Sequence, residues 1–386
     1  MKIISITPNS PILVDEKHAQ NLAWRVSNEW ASQEDVEMKR FHPELEIEGW
    51  MHSKDIEKIK EIEIKNVKFR IFRTDISIRH GMEISFQMLR ALAREIRSIK
   101  KGEKLVVHLH EYHSWQSYLV LLLCSERARI ICQHHGGRSP FKNLMKYKRL
   151  FLFLPAVILM QFFENLLFKK VDVFYALSDE EAGYLRRIGA KRIEFSTMGI
   201  QDKYFLKADK ERLKRKLGLD KNKKHVLFLS RIKTTKGVKE LLDAMKNINA
   251  DLLLIGTGED NEKYRKYAEE SKIKNARFLG SIYGDEKLDY LSACDCLVLP
   301  SHTEGAPVVI MEALARNLPV VATNVGGIPK MIKNGREGML INPKSSREIS
   351  SAVNKVLAWK KADIRKYAEK YRWKKIIDST LEDYEG

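Results

Sequence analysis

Residues 299–328, LPSHTEGAPVVIMEALARNLPVVATNVGGI, decide the fold of this chain. Two carboxylates, Glu304 and Glu312, lie eight positions apart within the stretch, between an apolar run that ends at Leu299 and a second apolar run at 319–323. The pattern predicts a strand, a loop, a helix and a second strand. Open parallel sheets bind nucleotides at the carboxyl edge of their strands, and the loop with Glu304 is expected at that edge.

The start of the expected helix offers unpaired backbone N–H groups and the positive end of its dipole, and both favour a phosphate. A carboxylate just inside such a helix can accept hydrogen bonds from the two ribose hydroxyls of a nucleotide, and Glu312 has that position. The same stretch also fits an ordinary strand–helix–strand unit with two surface glutamates. The surrounding segments therefore have to decide between a nucleotide site and a plain sheet edge.

Strand-length apolar runs alternate with helical patterns along the chain, which indicates an α/β fold with doubly wound parallel sheets. A charged stretch at 201–224 interrupts this alternation, and 386 residues exceed the usual size of one core. We predict domains at 1–203 and 204–365 and a final helix at 366–386. Other predicted elements are strands at 2–7, 67–73, 105–110 and 251–255 and helices at 20–32 and 84–100.

A cationic loop, SRIKTTKG at 230–237, follows the first apolar run of the second half. Arg231 and Lys236 lie five positions apart in it, and a glycine follows just before a helical pattern. A planar guanidinium and a compact ammonium can hold a diphosphate from two directions. A solvated basic loop is the alternative. The glutamate pair downstream in the same half favours the binding function.

The first half carries histidines at the ends of two apolar runs, His108, His110 and His113 in HLHEYH and His134 and His135 in ICQHHGG. The spacing suggests a metal site, but no carboxylate or thiol completes a tetrahedral ligand set. An imidazole here can donate a hydrogen bond to a sugar hydroxyl or to developing charge. A histidine packed at a strand end is the alternative.

The formal net charge of +18 suits an anionic nucleotide, an anionic membrane face or nucleic acid, or reflects adaptation to heat. Nucleic acid is the weakest candidate, because no aromatic platform is interleaved with the basic residues. The four cysteines sit in apolar runs and predict free, buried thiols in a reducing compartment. The start lacks the order of a signal peptide, and we expect a cytoplasmic protein.

Residues 138–170 are strongly basic and enclose the apolar run LFLFLPAVILMQFF at 150–163. The run is short and interrupted, so it does not predict a membrane-spanning helix. It fits an interfacial element that contacts anionic lipid on the cytoplasmic face, and equally a buried helix pair of the first domain.

Residues 299–328 contain the short motifs EG-x-P, E-A-x-A, P-V-V-A and G-G-x-P. Together they resemble the glutamate–seven residues–glutamate motif of the retaining GT-B glycosyltransferases, family 4. The cationic loop is similar to the family's G-R-x-x-x-x-K-G, with Ser230 in place of the first glycine. The resemblance implies two Rossmann-like domains that face a cleft, with acceptor binding at 1–203 and nucleotide-sugar binding at 204–365. It also implies that the final helix at 366–386 packs back on the first domain. It further implies an enzyme of the EC 2.4 type that transfers a sugar from a nucleotide-diphosphate sugar to a glycan, a lipid-linked molecule or a small molecule.

The resemblance also implies roles for individual site residues. Arg231 and Lys236 would neutralise the leaving diphosphate, Glu304 would face the transferred sugar, Glu312 would hold the ribose, and His135 would lie near the sugar. Further nucleotide contacts would come from Gly256, Gly258, Ser281, Ile282, Gly305, Ala306 and Val308. The family needs no metal ion and no cofactor besides the donor.

Two segments depart from the family. The loop Pro8-Asn9-Ser10-Pro11 has no glycine where family members often carry a glycine pair, and Met198 replaces the usual asparagine before Gly199. Acceptor use and activity depend on that first loop. A sugar phosphorylase on the same fold and a non-enzymatic nucleotide-sugar or carbohydrate-binding protein are therefore the alternative functions.

Overall fold

The computed structural model describes residues 1–7, 22–78, 83–124, 128–134, 154–359 and 363–386. The chain forms two compact units, Met1–Gly199 with Trp373–Gly386, and Ile200–Arg372. The boundaries therefore lie at residue 199, close to the predicted 203, and at residue 372, where we predicted 365. Backbone pairing explains both positions, because the N–H of Ile200 donates to the carbonyl of Tyr371 at 2.7 Å and holds both ends of the second unit together.

The first unit contains an eight-stranded sheet of order β10-β9-β8-β7-β1-β2-β4-β3. Neighbouring strands pair in parallel except β3, which is antiparallel to β4, and β5 pairs with β6 in a separate two-stranded sheet. The strands are β1 (Lys2–Thr7), β2 (Glu46–Ser53), β3 (Lys60–Ile64), β4 (Val67–Arg73), β5 (Ile76–Ser77), β6 (Glu83–Ile84), β7 (Leu105–His110), β8 (Ala128–Gln133), β9 (Val173–Ala176) and β10 (Ile193–Phe195).

Helices cover both faces of this sheet. They are α1 (Leu22–Asn28), α2 (Trp30–Phe41), α3 (Phe86–Ser98), α4 (Trp115–Leu123), α5 (Leu154–Leu167) and α6 (Asp179–Arg187). The prediction of one helix at 20–32 is wrong, because the backbone of Glu29 is extended (φ −68°, ψ 130°) and separates α1 from α2. α6 begins after Ser178, whose side chain caps the helix by accepting a hydrogen bond from the N–H of Glu181.

The second unit contains a six-stranded sheet of order β13-β12-β11-β14-β15-β16, and all its neighbouring strands pair in parallel. Its strands are β11 (His225–Leu229), β12 (Asp251–Ile255), β13 (Ala276–Gly280), β14 (Cys296–Leu299), β15 (Val320–Thr323) and β16 (Gly338–Ile341). Its helices are α7 (Lys210–Lys216), α8 (Val238–Met245), α9 (Asn261–Glu270), α10 (Gly284–Ala293), α11 (Val308–Ala315), α12 (Ile328–Met331) and α13 (Ser346–Leu357).

The last helix, α14 (Trp373–Glu385), belongs to the first unit. It packs on α2 and buries Trp373, Ile377 and Tyr384 in the apolar cluster on one face of the sheet. A Cβ atom on Gly199 would lie 2.4 Å from the ring of Trp373, so this position accepts only glycine without rearrangement. None of the helices in the described part of the chain combines the length and apolar character needed to cross a bilayer.

Candidate functional site

The cationic loop lies at the carboxyl end of β11, one of the two middle strands of the second sheet. A short 3-10 turn at Thr234–Lys236 leads into Gly237, whose φ of 68° is left-handed. A Cβ atom at Gly237 would lie 2.1 Å from the carbonyl oxygen of Pro300, so only glycine lets the loop approach β14 this closely. Asp260 fixes the turn by accepting from the N–H of Thr234 at 2.6 Å and from its hydroxyl at 2.8 Å.

Lys236 and Glu304 form a direct ion pair with an Nζ–Oε1 distance of 2.6 Å. The two side chains are only 17% and 10% exposed, so the pair is shielded from bulk water. Ser301 donates its hydroxyl to the same carboxylate oxygen at 2.6 Å, which fixes Glu304 further. The N–H of His302 donates to the carbonyl of Thr235 at 2.8 Å. The loops after β11 and β14 are thus joined by backbone and by charge.

Glycine pairs hold the main chains of these loops in contact. Gly326 has a φ of 57°, and a Cβ atom there would lie 1.9 Å from the carbonyl oxygen of Glu304. The N–H of Gly327 donates to the carbonyl of Gly305 at 2.7 Å. The glycine pair after β15 therefore sets the position of the Glu304 backbone.

A second glycine pair supports the cationic loop from the other side. Cβ atoms on Gly256 and Gly258 would lie 2.0 Å and 2.3 Å from the carbonyl oxygens of Ser230 and Ile232. The N–H of Ile232 also donates to the carbonyl of Thr257 at 2.9 Å. These contacts give the two glycines a structural function, which sequence reasoning did not predict.

Glu312 forms the second ion pair of the site. It lies in the second turn of α11, is 6% exposed, and accepts from Nζ of Lys287 on α10 at 2.7 Å. Nζ of Lys287 also lies 5.4 Å from the centre of the Tyr204 ring. Burial raises the pKa of the Tyr204 hydroxyl, and its hydrogen bond to Glu312 adds to this rise. Glu312 is therefore a buried carboxylate with two donors.

Several candidate residues lie around these pairs at the same edge of the sheet. Arg231 is exposed in the cationic loop, and no ion pair joins it to another described residue. Ser281 follows β13, and its hydroxyl lies 3.0 Å from that of Thr257. Ile282, Ala306 and Val308 are partly buried against the apolar cluster of this unit. The structure brings Lys236 together with Glu304, while the nucleotide contacts of the other residues stay predictions.

Residues 209–372 match the family model for glycosyl transferases group 1. The second unit is a group 1 glycosyltransferase domain. The chain is 30% identical over 191 residues to an uncharacterized glycosyltransferase of Methanocaldococcus jannaschii. The aligned region covers 46% of this chain and 48% of the relative. The chain thus spans about half the length of these curated relatives.

Solved structures match the chain over its whole length. Sucrose-phosphate synthase from Thermosynechococcus elongatus has a TM-score of 0.69 at 18% identity and covers 100% of this chain and 98% of its own. The Anabaena protein HepE in complex with UDP has a TM-score of 0.69 at 17% identity and covers 99% of both chains. These likenesses establish the predicted GT-B fold, in which a second Rossmann-like domain accompanies the group 1 domain.

The histidines that sequence reasoning grouped do not form one site. His108 and His110 are fully buried in β7, where His108 bonds to the hydroxyl of Tyr384 at 2.7 Å and His110 to that of Ser5 at 2.9 Å. Burial lowers the pKa of His108 to about 3, so this imidazole is neutral in the core. His135, the predicted sugar contact, lies outside the described residues.

His134 and Glu111 lie at the carboxyl edge of the first sheet. Burial alone would lower the pKa of His134, but Glu181 at 3.2 Å and Glu111 at 3.4 Å raise it. Glu111 has a left-handed backbone with a φ of 76°. Such a conformation costs about 1–3 kcal/mol in a non-glycine residue and is frequent at functional sites. Sequence reasoning assigned no function to Glu111.

Lys287 is the contact that sequence reasoning missed in the group 1 domain. It precedes Glu312 by 25 positions and lies on a different helix, so no local spacing connects the two. The available signal was a lysine in the helix after the predicted nucleotide segment at 280–282. Packing of α10 against α11 makes the contact and had to be seen in three dimensions.

Proposed function

We propose that this chain is a retaining glycosyltransferase that moves a sugar from a nucleotide-diphosphate sugar to a hydroxyl group of an acceptor. The ion pair between Lys236 and Glu304 at the carboxyl edge of the group 1 domain carries the proposal. It holds a cation suited to a leaving diphosphate against a carboxylate suited to sugar hydroxyls. The similar HepE structure is a complex with UDP, and UDP-sugars are therefore the first donors to test.

In the proposed reaction, the bond between C1 of the sugar and the phosphate oxygen breaks while the acceptor oxygen bonds to C1 on the same face. The acceptor proton passes to the departing phosphate oxygen. Arg231 and Lys236 neutralise the diphosphate charge as it develops. Glu304 and His135 orient the sugar through its hydroxyls, and Glu312 accepts hydrogen bonds from the ribose.

Nucleotide binding tests the proposal first. We expect one of UDP, GDP, ADP or CMP to stabilise the protein by about 2.7 kcal/mol at a hundred times its Kd. The matching nucleotide sugar should then be hydrolysed slowly, with release of the nucleotide and of a sugar that keeps its anomeric configuration. Thermal denaturation and NMR of the released sugar measure the two effects, with and without EDTA, because the resemblance implies a metal-independent reaction.

Other outcomes of this experiment identify the alternatives. Phosphate-dependent release of a sugar phosphate would identify a phosphorylase, and nucleotide-sugar binding without any turnover would identify a binding protein. If none of the nucleotides shifts the denaturation midpoint, the proposal is rejected.

An anionic membrane is the proposed partner of an apolar face on the first unit. On α5, Ile158, Leu159, Phe162 and Leu166 are 58%, 44%, 60% and 53% exposed and recur at helical spacing. The neighbouring α4 adds Leu122 and Leu123, at 45% and 38%. Lys169 and Lys170 are exposed directly after α5, while the basic residues at 138–149 lie outside the described part. An apolar face next to cations suits an anionic lipid surface and a lipid-linked acceptor.

Vesicle flotation tests this contact. We expect the protein to float with vesicles that contain phosphatidylglycerol, and a Phe162→Asp, Leu166→Asp variant to float several-fold less, because two charges enter the apolar face. Ile78→Asp is the matched control, since Ile78 is 70% exposed outside α4 and α5. Equal flotation of the three proteins, or none with any vesicle, would refute the membrane contact.

A further inference from the structure

A cavity of about 460 Å³ lies in the second unit, away from the ion pairs described above. Its lining includes Lys224, Asp295 and Pro319, which directly precede β11, β14 and β15. The amino ends of these parallel strands lie at one edge of the sheet, whereas Lys236 and Glu304 follow their carboxyl ends. The cavity is therefore at the edge opposite the candidate donor site and has no role in the proposed reaction.

Positive charge dominates this cavity. Its cationic lining residues are Lys207, Lys210, Lys224, Arg316, Arg336 and Arg365. Asp295 is the only carboxylate among the described lining residues. It already lies 2.9 Å from Nζ of Lys210 and 3.6 Å from Nζ of Lys224, and it accepts from the N–H of His225 at 2.9 Å. One carboxylate thus serves two lysines of the lining and has little capacity left.

Carboxylates next to the cavity neutralise two of the arginines. Arg336 pairs with Glu337 at 2.6 Å, and Nε of Arg365 donates to Asp363 at 2.9 Å. The unbalanced charge therefore rests on Arg316, on Lys207 and on the lysines that share Asp295.

Arg316 donates to neutral acceptors rather than to a carboxylate. Its Nε donates to the hydroxyl of Ser292 at 2.7 Å and its Nη1 to the carbonyl of Leu206 at 2.5 Å, both of which are neutral acceptors. No described carboxylate forms an ion pair with it. Burial lowers the pKa of Arg316, the more distant charge of Asp289 raises it, and the charge of Arg365 lowers it again, with a net fall. The fold holds two guanidinium groups near each other at one cavity, an arrangement that a bound anion would stabilise.

The remaining wall of the cavity is apolar. Val356, Leu357, Trp359 and Ile364 form it, and the indole of Trp359 is the largest surface among them. A bare inorganic anion would leave this wall without a partner, whereas a molecule with a ring or an apolar body would cover it. Guanidinium groups prefer phosphate oxygens because their planar donors match them.

We propose that this cavity binds a phosphorylated small molecule, with its phosphate beside Arg316 and its body against Trp359. Phenyl phosphate is a suitable probe, because it combines the two features. Inorganic phosphate and benzyl alcohol, which carry one feature each, should bind more weakly. Tryptophan fluorescence measures binding, and subtraction of the signal of a Trp359→Phe variant isolates this site from the other tryptophans.

Arg316→Gln should weaken phenyl phosphate binding about tenfold or more, since it removes a charge-assisted hydrogen bond to phosphate. Lys207→Gln is a second variant, on an exposed side chain, and should weaken binding in the same direction if Arg316→Gln disturbs the fold. Arg347→Gln is the control, because it removes the same charge from an exposed position on α13 outside the cavity. The denaturation midpoint of each variant reports its folding.

Three results would overturn the proposal. One is a lack of any saturable fluorescence change with phenyl phosphate. Another is equal affinity of wild type, Lys207→Gln and folded Arg316→Gln. The third is displacement of phenyl phosphate by UDP, which would place the probe in the candidate donor site.

Discussion

Replacing Lys236 with methionine is expected to lower sugar transfer by about 10²–10³-fold, the usual effect of removing one preorganised group that stabilises charge in a transition state. Lys236 is only 17% exposed and contacts Glu304, so its charge lies in a shielded site where it acts strongly on a diphosphate. The effect should fall mainly on kcat, because the leaving charge develops during the reaction. Initial rates of nucleotide release measure it.

Loss of Lys236 also leaves Glu304 without its ion-pair partner, and this could reduce activity by disturbing the fold. The double variant Lys236→Met, Glu304→Gln removes both charges, so it separates the two effects by its denaturation midpoint. Lys233→Met is the matched control, since Lys233 lies in the same loop, is 40% exposed and pairs with an exposed Glu259. A folded Lys236→Met enzyme within about threefold of wild-type kcat would contradict the assigned role.

Arg231 gives the cleaner version of the same experiment. Its side chain is exposed and forms no ion pair within the described residues, so Arg231→Ala should change stability by no more than about 0.5 kcal/mol. A large loss of transfer in that variant would then report on the diphosphate alone. Unchanged transfer would remove Arg231 from the proposed site.

Replacing Lys287 with methionine is expected to weaken nucleotide diphosphate binding by about 10–100-fold, the equivalent of one or two charge-assisted hydrogen bonds. Lys287 donates to Glu312 at 2.7 Å, and the two side chains are 21% and 8% exposed. With Lys287 absent, the Tyr204 hydroxyl would be the remaining side-chain donor, among the described residues, to the carboxylate that is proposed to bind the ribose. Calorimetric titration with the nucleotide identified by denaturation measures the change.

Deoxynucleotides make the test specific for the ribose. The wild-type protein should bind the ribonucleotide about tenfold or more tightly than its 2′-deoxy analogue, and Lys287→Met should lose most of this difference. Lys287→Arg should restore part of it, and Lys266→Met on α9 is a control because Lys266 is 77% exposed. Equal discrimination by wild type and Lys287→Met would show that this lysine does not position Glu312 for the sugar.

The sequence predicted the bounds of β1, β4, β7 and β12 correctly. β7 and β12 are nearly continuous apolar runs, as expected for buried strands of a parallel sheet, and β4 alternates apolar and basic residues. No strand was predicted at β2, whose sequence EIEGWMHS mixes apolar residues with charged ones. Glu48 is nevertheless only 7% exposed there, since it accepts from Nε1 of Trp50 at 2.9 Å and pairs with Arg70 at 3.2 Å. Trp50 lies two residues along the same strand and Arg70 lies on β4. The apolar periodicity of a sequence does not predict such side-chain contacts.

The candidate site was predictable to the extent that loops after neighbouring parallel strands must meet. That rule brings Lys236 near Glu304, and the structure adds the direct contact. It says nothing about the face that a helix turns to its neighbour, so it did not connect Lys287 with Glu312. It also left the histidines of β7 open, and only the packing of α14 through Tyr384 places His108 in the core.

The glycine contacts at the carboxyl edge limit how such an enzyme can diversify. A Cβ atom added at Gly237, Gly256 or Gly326 would lie about 2 Å from a carbonyl oxygen of a neighbouring loop, and would therefore collide with it. Insertions or larger residues at these positions would push apart the backbone that carries the charged side chains. Variation among related domains is therefore expected in the side chains around these loops, while the loop lengths and the three glycines stay constant.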